Sequence, residues 1–329
     1  MFVHRTQHAV AALLLVPLAL ACRDKARPTG TADADASAPV VSASVPDSKA
    51  DSATISTPAS DAPVSYVDAE QAFHRGSYGQ ATQLFEGYRR QHPDNPWGHY
   101  MYGLSAWKSG LHTEALAGFD AALRLDPDHR KSLFNSARVL LETGQPGQAL
   151  KRVERGLSLE PLSAEGHRLL GRARVELGQF DEAIDAYQRA IAIDDRDVWS
   201  MNNLGLLYIQ RGQSDEALLP LARAVELRSN SPVFQNNLGT ALEQTGHLPE
   251  ARQAYEAAVA ADSGYAKAVS SLARVSPLAQ PGETGTIDLA EASREFQAEV
   301  SRLRETAVGQ DSVTVQASVE ETPRDSNPQ

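Results

Sequence analysis

The chain holds a single thiol. Cys22 follows the small residue Ala21 at the end of an apolar run from Ala9, and it is the one cysteine in 329 residues. One thiol cannot make an intrachain disulfide, a thiolate metal cluster or a two-thiol redox centre. The chemistry left to it is modification from outside, acylation above all. A second set of residues is suited to recognition. Asn135, Asn203 and Asn237 stand at multiples of 34 residues, and an amide offers donor and acceptor together, so it can pair a peptide unit whatever its sequence. Trp97, Tyr100, Leu104 and Trp107 recur at helical spacing, and Trp199 is the counterpart of Trp97 three periods on. Exposed rings of this kind anchor interfaces; buried ones are core. Arg138 and Arg172 are 34 apart, with Arg168 one turn before Arg172. Their guanidinium forks suit an acidic segment or a C-terminal carboxylate. Glu142 and Glu176 follow at four residues, however, and are placed to neutralise them within their own helices.

Catalytic patterns are missing. The chain has no glycine-rich phosphate loop, no GxSxG elbow and no HExxH, and its histidines lie without ligand spacing. His92-Pro93-Asp94 matches a co-chaperone tripeptide but falls in a turn that the repeat pattern explains. A net charge of −11 argues against nucleic acid and against a basic membrane-surface patch. The expectation is a chain that is not an enzyme, with no metal, no cofactor and no small-molecule substrate.

The elements that would carry these residues follow from one interval. Gly76, Gly110, Gly144, Gly178, Gly212 and Gly246 are each 34 residues apart. Five residues after each comes Ala81, Ala115, Ala149, Ala183, Ala217 or Ala251. Seven before each stands a small residue (Ala69, Gly103, Ala137, Gly171, Gly205, Gly239), and nine after it a bulky one (Phe85, Phe119, Val153, Tyr187, Leu221, Tyr255). With apolar residues at helical spacing between these markers, the pattern predicts a pair of helices per unit. Glycine takes the left-handed backbone that ends the first helix. The small columns let the two backbones approach, and the bulky residue fills the gap between neighbouring units. Pro93, Pro127 and Pro161 close the first three units, where proline prevents continuation of the second helix.

Segments such as Asn203-Leu204-Gly205-x-x-Tyr208-x-x-x-Gly212-x-x-x-x-Ala217 and Gly178-Gln179-Phe180-Asp181-Glu182-Ala183 resemble tetratricopeptide (TPR) repeats. The resemblance implies an all-α, right-handed α-solenoid of about six helix pairs over 62–276, including a capping helix from about Tyr265 to Val275 stopped by Pro277. It implies a concave groove lined by the first helices, and protein or extended-peptide partners. The asparagine column resembles the ladder of the O-GlcNAc transferase superhelix, with Leu169 interrupting it and Met101 and Val67 ending it. A solvated polar face without ligand is the competing reading. Tyr66 and Glu70 stand where chaperone-tail clamps place Lys and Asn, which speaks against that role. Arg174 occupies a column filled elsewhere by Leu140, Tyr208 and Leu242, and snorkelling is the default expectation for it.

At the N-terminus, Arg5 precedes an apolar run too short to span a bilayer but suited to a secretory signal, residues 1–21. Leu18-Ala19-Leu20-Ala21-Cys22 resembles a bacterial lipobox, which implies lipidation (palmitate) at Cys22; simple cleavage after Ala21, leaving a soluble periplasmic protein, is the alternative. Residues 22–61 lack aromatics and read as a solvated tether of about 35 Å root-mean-square reach. An amphipathic helix is expected from Asp288 to about Ala307 within 277–308, carrying Leu289, Ala292, Phe296, Val300, Leu303 and Ala307 on one face. It, or the tether, is the candidate cover for the aromatic stripe. Residues 309–329 read as a disordered tail. The layout resembles TPR lipoproteins of bacterial envelopes, and Arg23 after the cysteine leans towards the outer membrane. Two functions stand: a scaffold that gathers envelope-assembly partners, or a peptide-reading specificity subunit of an enzyme complex.

Overall fold

The computed structural model describes residues 63–279 and 287–320, with side chains through residue 305. The signal, Cys22 and the tether as far as residue 62 lie outside the described residues. Among those described, all regular structure is helical. Units 1 to 3 are α1 (Tyr66–His74) with α2 (Tyr78–Gln91), α3 (Pro96–Lys108) with α4 (His112–Leu125), and α5 (Arg130–Glu142) with α6 (Pro146–Leu159). Units 4 to 6 are α7 (Ala164–Glu176) with α8 (Phe180–Ile193), α9 (Val198–Gln210) with α10 (Ser214–Leu227), and α11 (Pro232–Gln244) with α12 (Leu248–Ala261). A seventh first helix, α13 (Ala266–Val275), closes the array before Pro277, and α14 (Leu289–Glu320) follows.

The two helices of a unit start by different means. The first helices of the six units are capped by a side chain: Ser65, Asn95, His129, Ser163, Asp197 and Ser231 each accept from a backbone N–H of the first turn. Second helices have no such cap. They grow directly out of the turn that ends the first helix. There the six glycines have φ between 69° and 84°. In the fourth unit Gly178 N–H donates to Val175 O and Gln179 N–H to Arg174 O, at 3.0 and 2.9 Å. These paired bonds satisfy the last carbonyls of the first helix. A residue with a Cβ would be strained in that backbone conformation.

Packing inside a unit couples the small column to the bulky one. A Cβ on Gly171 would stand 2.6 Å from the Tyr187 ring, and one on Gly239 would stand 2.7 Å from the Tyr255 ring. The bulky residue is therefore seated on the small residue of its own unit, and it also packs against the next unit as expected: Tyr187 shares a cluster with Met201, Leu204 and Leu207. All six bulky residues and all six alanines of the second helix are fully buried. Contacts between units follow chain order, so each helix meets its predecessor and successor.

α14 departs from that order. It lies across α8 and α10, both second helices. Ala292, Phe296 and Val300 bury there, as the helical spacing predicts, and Phe296 and Val300 join the cluster of Tyr187, Ile191 and Met201. Ser293 donates to Glu226, and Arg304 donates to Ala192 O at 2.7 Å and pairs with Asp195 at 2.9 Å. Two expectations need correction. The helix does not cover the aromatic stripe on α3, because its apolar face matches the outer side of units 4 and 5. It also continues to Glu320, well past Ala307 and into the span read as a disordered tail; no proline interrupts the chain before Pro323.

Candidate partner-binding face

The recognition residues all stand on first helices, and the structure gathers them into two seams. One joins α3 to α5. The Trp97 ring meets Tyr100 edge-on at 5.5 Å and His129 at 5.0 Å. Lys131 Nζ lies over Trp97 at 5.2 Å. Asn135 Nδ2 donates to Lys131 O at 2.9 Å and more weakly to Tyr100 OH at 3.4 Å. Trp107 donates its indole N–H to Glu142 at 2.7 Å, and the Arg138 guanidinium lies over its ring at 5.1 Å. Trp97 remains 45% exposed, whereas Tyr100 is buried. Burial first, then the Glu165 carboxylate, pushes the Tyr100 phenol up to about 12. His129 is buried and its pKa is lowered by that burial, so the neutral ring can accept the Ser132 N–H that caps α5.

The arginines continue from this seam towards the C-terminus. Arg138 pairs with Glu165 of α7 rather than with Glu142 four residues on, because Glu142 is already held by Trp107 and lies 3.4 Å from His112. Arg172 does sit beside Glu176, at 3.8 Å, and burial raises the pKa of that carboxyl. Arg168 reaches Asp197 at 2.8 Å, where Asp197 also caps α9 through Ser200. All three guanidinium groups therefore have a carboxylate neighbour within the array. Arg174 carries its guanidinium out to polar neighbours: it bonds Gln179 at 2.9 Å and Glu154 of the preceding unit at 3.3 Å.

The second seam joins α9 to α11 and is made of amides. Asn237 Nδ2 donates to Asn202 Oδ1 at 2.8 Å, and Asn202 donates to Asn203 Oδ1 at 3.4 Å. Asn203 is 3% exposed and Asn237 7%. Asn202 and Asn236, each one residue before the predicted amides, were missed as participants. Their signal was legible, since the Asn-Asn pair itself repeats after 34 residues. Trp199 sits at the edge of this seam, half-buried against Phe234 at 5.0 Å, with the Arg228 guanidinium 5.4 Å from its ring centre. The structure does not bring Trp97 and Asn203 together; they belong to separate seams. Among the described residues no group of three or more His, Cys, Asp or Glu could hold a metal ion, and no helix is long and apolar enough to cross a membrane.

Comparisons with known proteins agree with this architecture. A family model described as tetratricopeptide repeat matches residues 68–130, 134–198 and 202–266. Among solved structures, the APC/C hetero-tetramer Cut9-Hcn1 aligns with a TM-score of 0.57 at 15% identity, covering 63% of this chain and 41% of that one. A tetratricopeptide repeat protein from Parabacteroides merdae aligns with a TM-score of 0.53 at 13% identity, covering 63% and 81%. MamA from Desulfovibrio magneticus RS-1 has a TM-score of 0.47 at 24% identity, covering 50% and 92%. The first two are likenesses of fold. No curated protein matches the sequence.

Proposed function

The chain belongs to the tetratricopeptide repeat family, and from that premise we propose that it is a non-catalytic scaffold of the bacterial cell envelope. It is lipid-anchored at Cys22, faces the periplasm from the outer membrane, and gathers envelope-assembly proteins along its first-helix face. The fold is one of protein interaction. The observation that carries the choice of face is Trp97. It is a large ring, 45% exposed, at the centre of an aromatic and basic seam on first helices. The chain's own C-terminal helix lies elsewhere, on second helices. Tryptophan, tyrosine and arginine are the residue types enriched among interface anchors. The amides support the peptide-reading alternative less well, because most of their bonding capacity is spent on one another.

Two measurements on the full chain test this reading. Wild type should incorporate labelled palmitate and sediment with membranes, and Cys22→Ser should lose both; equal labelling of the variant would end the anchor assignment. A photo-crosslinking residue placed at Lys131, beside Trp97, should capture envelope proteins in cells, and Trp97→Ala should weaken capture by about 2 kcal/mol. Crosslinks arising only from outer positions such as Gln297 would move the binding face.

A further inference from the structure

The helix α14 has two unlike halves. From Ala292 to Arg304 its sequence follows helical spacing, and there it is held against α8 and α10. Ala292, Phe296 and Val300 bury, Ser293 donates to Glu226, and Arg304 bonds Ala192 O and Asp195. After Gly309 the pattern changes period. Ser312, Thr314, Gln316 and Ser318 alternate with Val313, Val315, Ala317 and Val319, eight residues without a charge, a proline or a glycine. Strict alternation is the pattern of a strand with one apolar face. The residue types agree with it, because valine and threonine favour strands and are indifferent helix formers. The structure continues α14 through this span to Glu320, yet a helix makes poor use of it. At 3.6 residues per turn, positions 313 and 317 fall on one side and 315 and 319 on the other, so no single surface could bury all four. In an extended chain they share one face.

We propose that residues 312–319 are a docking strand, which leaves the end of α14 and pairs with the open edge of a β-sheet in a partner protein. In this mode main-chain hydrogen bonds supply the affinity and alternate side chains supply the fit. The edge comes from another molecule, because among the described residues all regular structure is helical. A second copy of this chain is a poorer match. Two such segments alone make a two-stranded ribbon, which is marginal in water, whereas addition to an existing sheet extends a packed surface. The length suits the role, since eight extended residues span about 27 Å. Asp311 before the segment and Glu320 and Glu321 after it limit pairing with unintended edges. The clasp at Arg304 fixes where the strand is offered, within about 28 Å of the C-terminal end of α8. This contact is separate from the first-helix face and does not depend on it.

The test places a photo-crosslinking residue at each position from 312 to 319 in turn, in the full chain in cells. Strand addition predicts yields that alternate, with positions 313, 315, 317 and 319 giving several-fold more product than those between, into one partner other than this chain. Val313→Ala, Val315→Ala and Val319→Ala made together raise helix propensity and remove most of the strand's apolar face. Read from a crosslinker at Ala317, this variant should cut the yield about tenfold, while Ile at the same three positions should keep it. A yield recurring every three to four positions, or full capture by the Ala variant, would show α14 binding as a helix and overturn the strand. Crosslinks to a second copy alone, or none at any position, would overturn it too. Crosslinking at Lys131 is the control. Its loss with the alternation intact removes the first-helix face, and the reverse removes the strand alone.

Discussion

The α3–α5 seam and the α9–α11 seam occupy equivalent places in the repeat and do different work. Around Trp97 the contacts are rings and ions, and the central ring is half in water. Around Asn203 they are amides, and 3% of the residue is exposed. Column position alone therefore does not decide whether a polar or aromatic residue meets a partner or holds two units together. Its neighbours decide. Asn237 finds Asn202 one unit back and is spent on it. Trp97 finds the His129 ring at 5.0 Å and Lys131 over its face, and still keeps an open surface.

The comparison can be tested from its strongest contrast downwards. The outer sides of the two regions also differ, since units 4 and 5 carry α14. Phe296→Ala should cost about 3 kcal/mol or more, the range for removing a buried phenyl group. Amide exchange should report it as lost protection across 289–305 and α8, with α3 and α5 little changed. Equal loss of protection around Trp97 would show that the two regions are not energetically separate. Asn237→Ala comes next. It leaves Asn202 Oδ1 buried without its donor, a penalty of about 2 kcal/mol, or a fall of roughly 5 °C in the unfolding midpoint for an array of this size. Trp97→Ala should lower stability by less than about 1 kcal/mol, because the ring is already half solvated. A midpoint fall as large as that of Asn237→Ala would erase the distinction between anchor and glue.

The smallest effect is electrostatic. Glu299 lies on α14 with Tyr208 of α9 facing it and Glu295 and Arg302 beside it; burial is the main cause of its raised pKa. Between its ordinary value of 4.5 and that raised value the native state binds the extra proton. The stability traceable to Glu299 therefore falls as pH rises through this window. Glu226 works in the opposite sense. Its pKa is lowered by the hydrogen bond from Ser293 and by Arg223, so that contact weakens as pH falls. Glu299→Gln should raise stability at pH 7 by less than about 0.5 kcal/mol and flatten the first slope. An unchanged profile between pH 4 and 7 would show that the carboxyl is solvated.

Fold and site were legible to different degrees, for physical reasons. The glycine interval could be read because a left-handed turn and a close backbone approach admit few residue types. A single chain therefore repeats its constraints in view. The packing of Tyr187 against the next unit could be read, but its seat on Gly171 could not be separated from it, since both need one large and one small residue. The bond between Arg138 and Glu165 was hidden for another reason. Helical spacing displays the neighbour four residues on, but not the one that packing brings from the next unit. The site of α14 was hidden too. Its apolar face was plain in Phe296 and Val300, but an apolar face does not say which surface it meets.

Arg304 has a consequence for how the molecule comes apart. By holding Ala192 O and Asp195, it joins the chain to itself across more than a hundred residues. A repeat array is ordinarily a linear stack whose end units fray one at a time. Here α9 to α13 are enclosed in a loop fastened at α8, so the C-terminal end cannot peel away until that clasp opens. The enclosed segment should therefore melt as a single block. Closing so wide a loop comes late in folding, since its entropy must be lost before the contact is gained. The last step of assembly would then be the fastening of the tail onto a stack that has already formed.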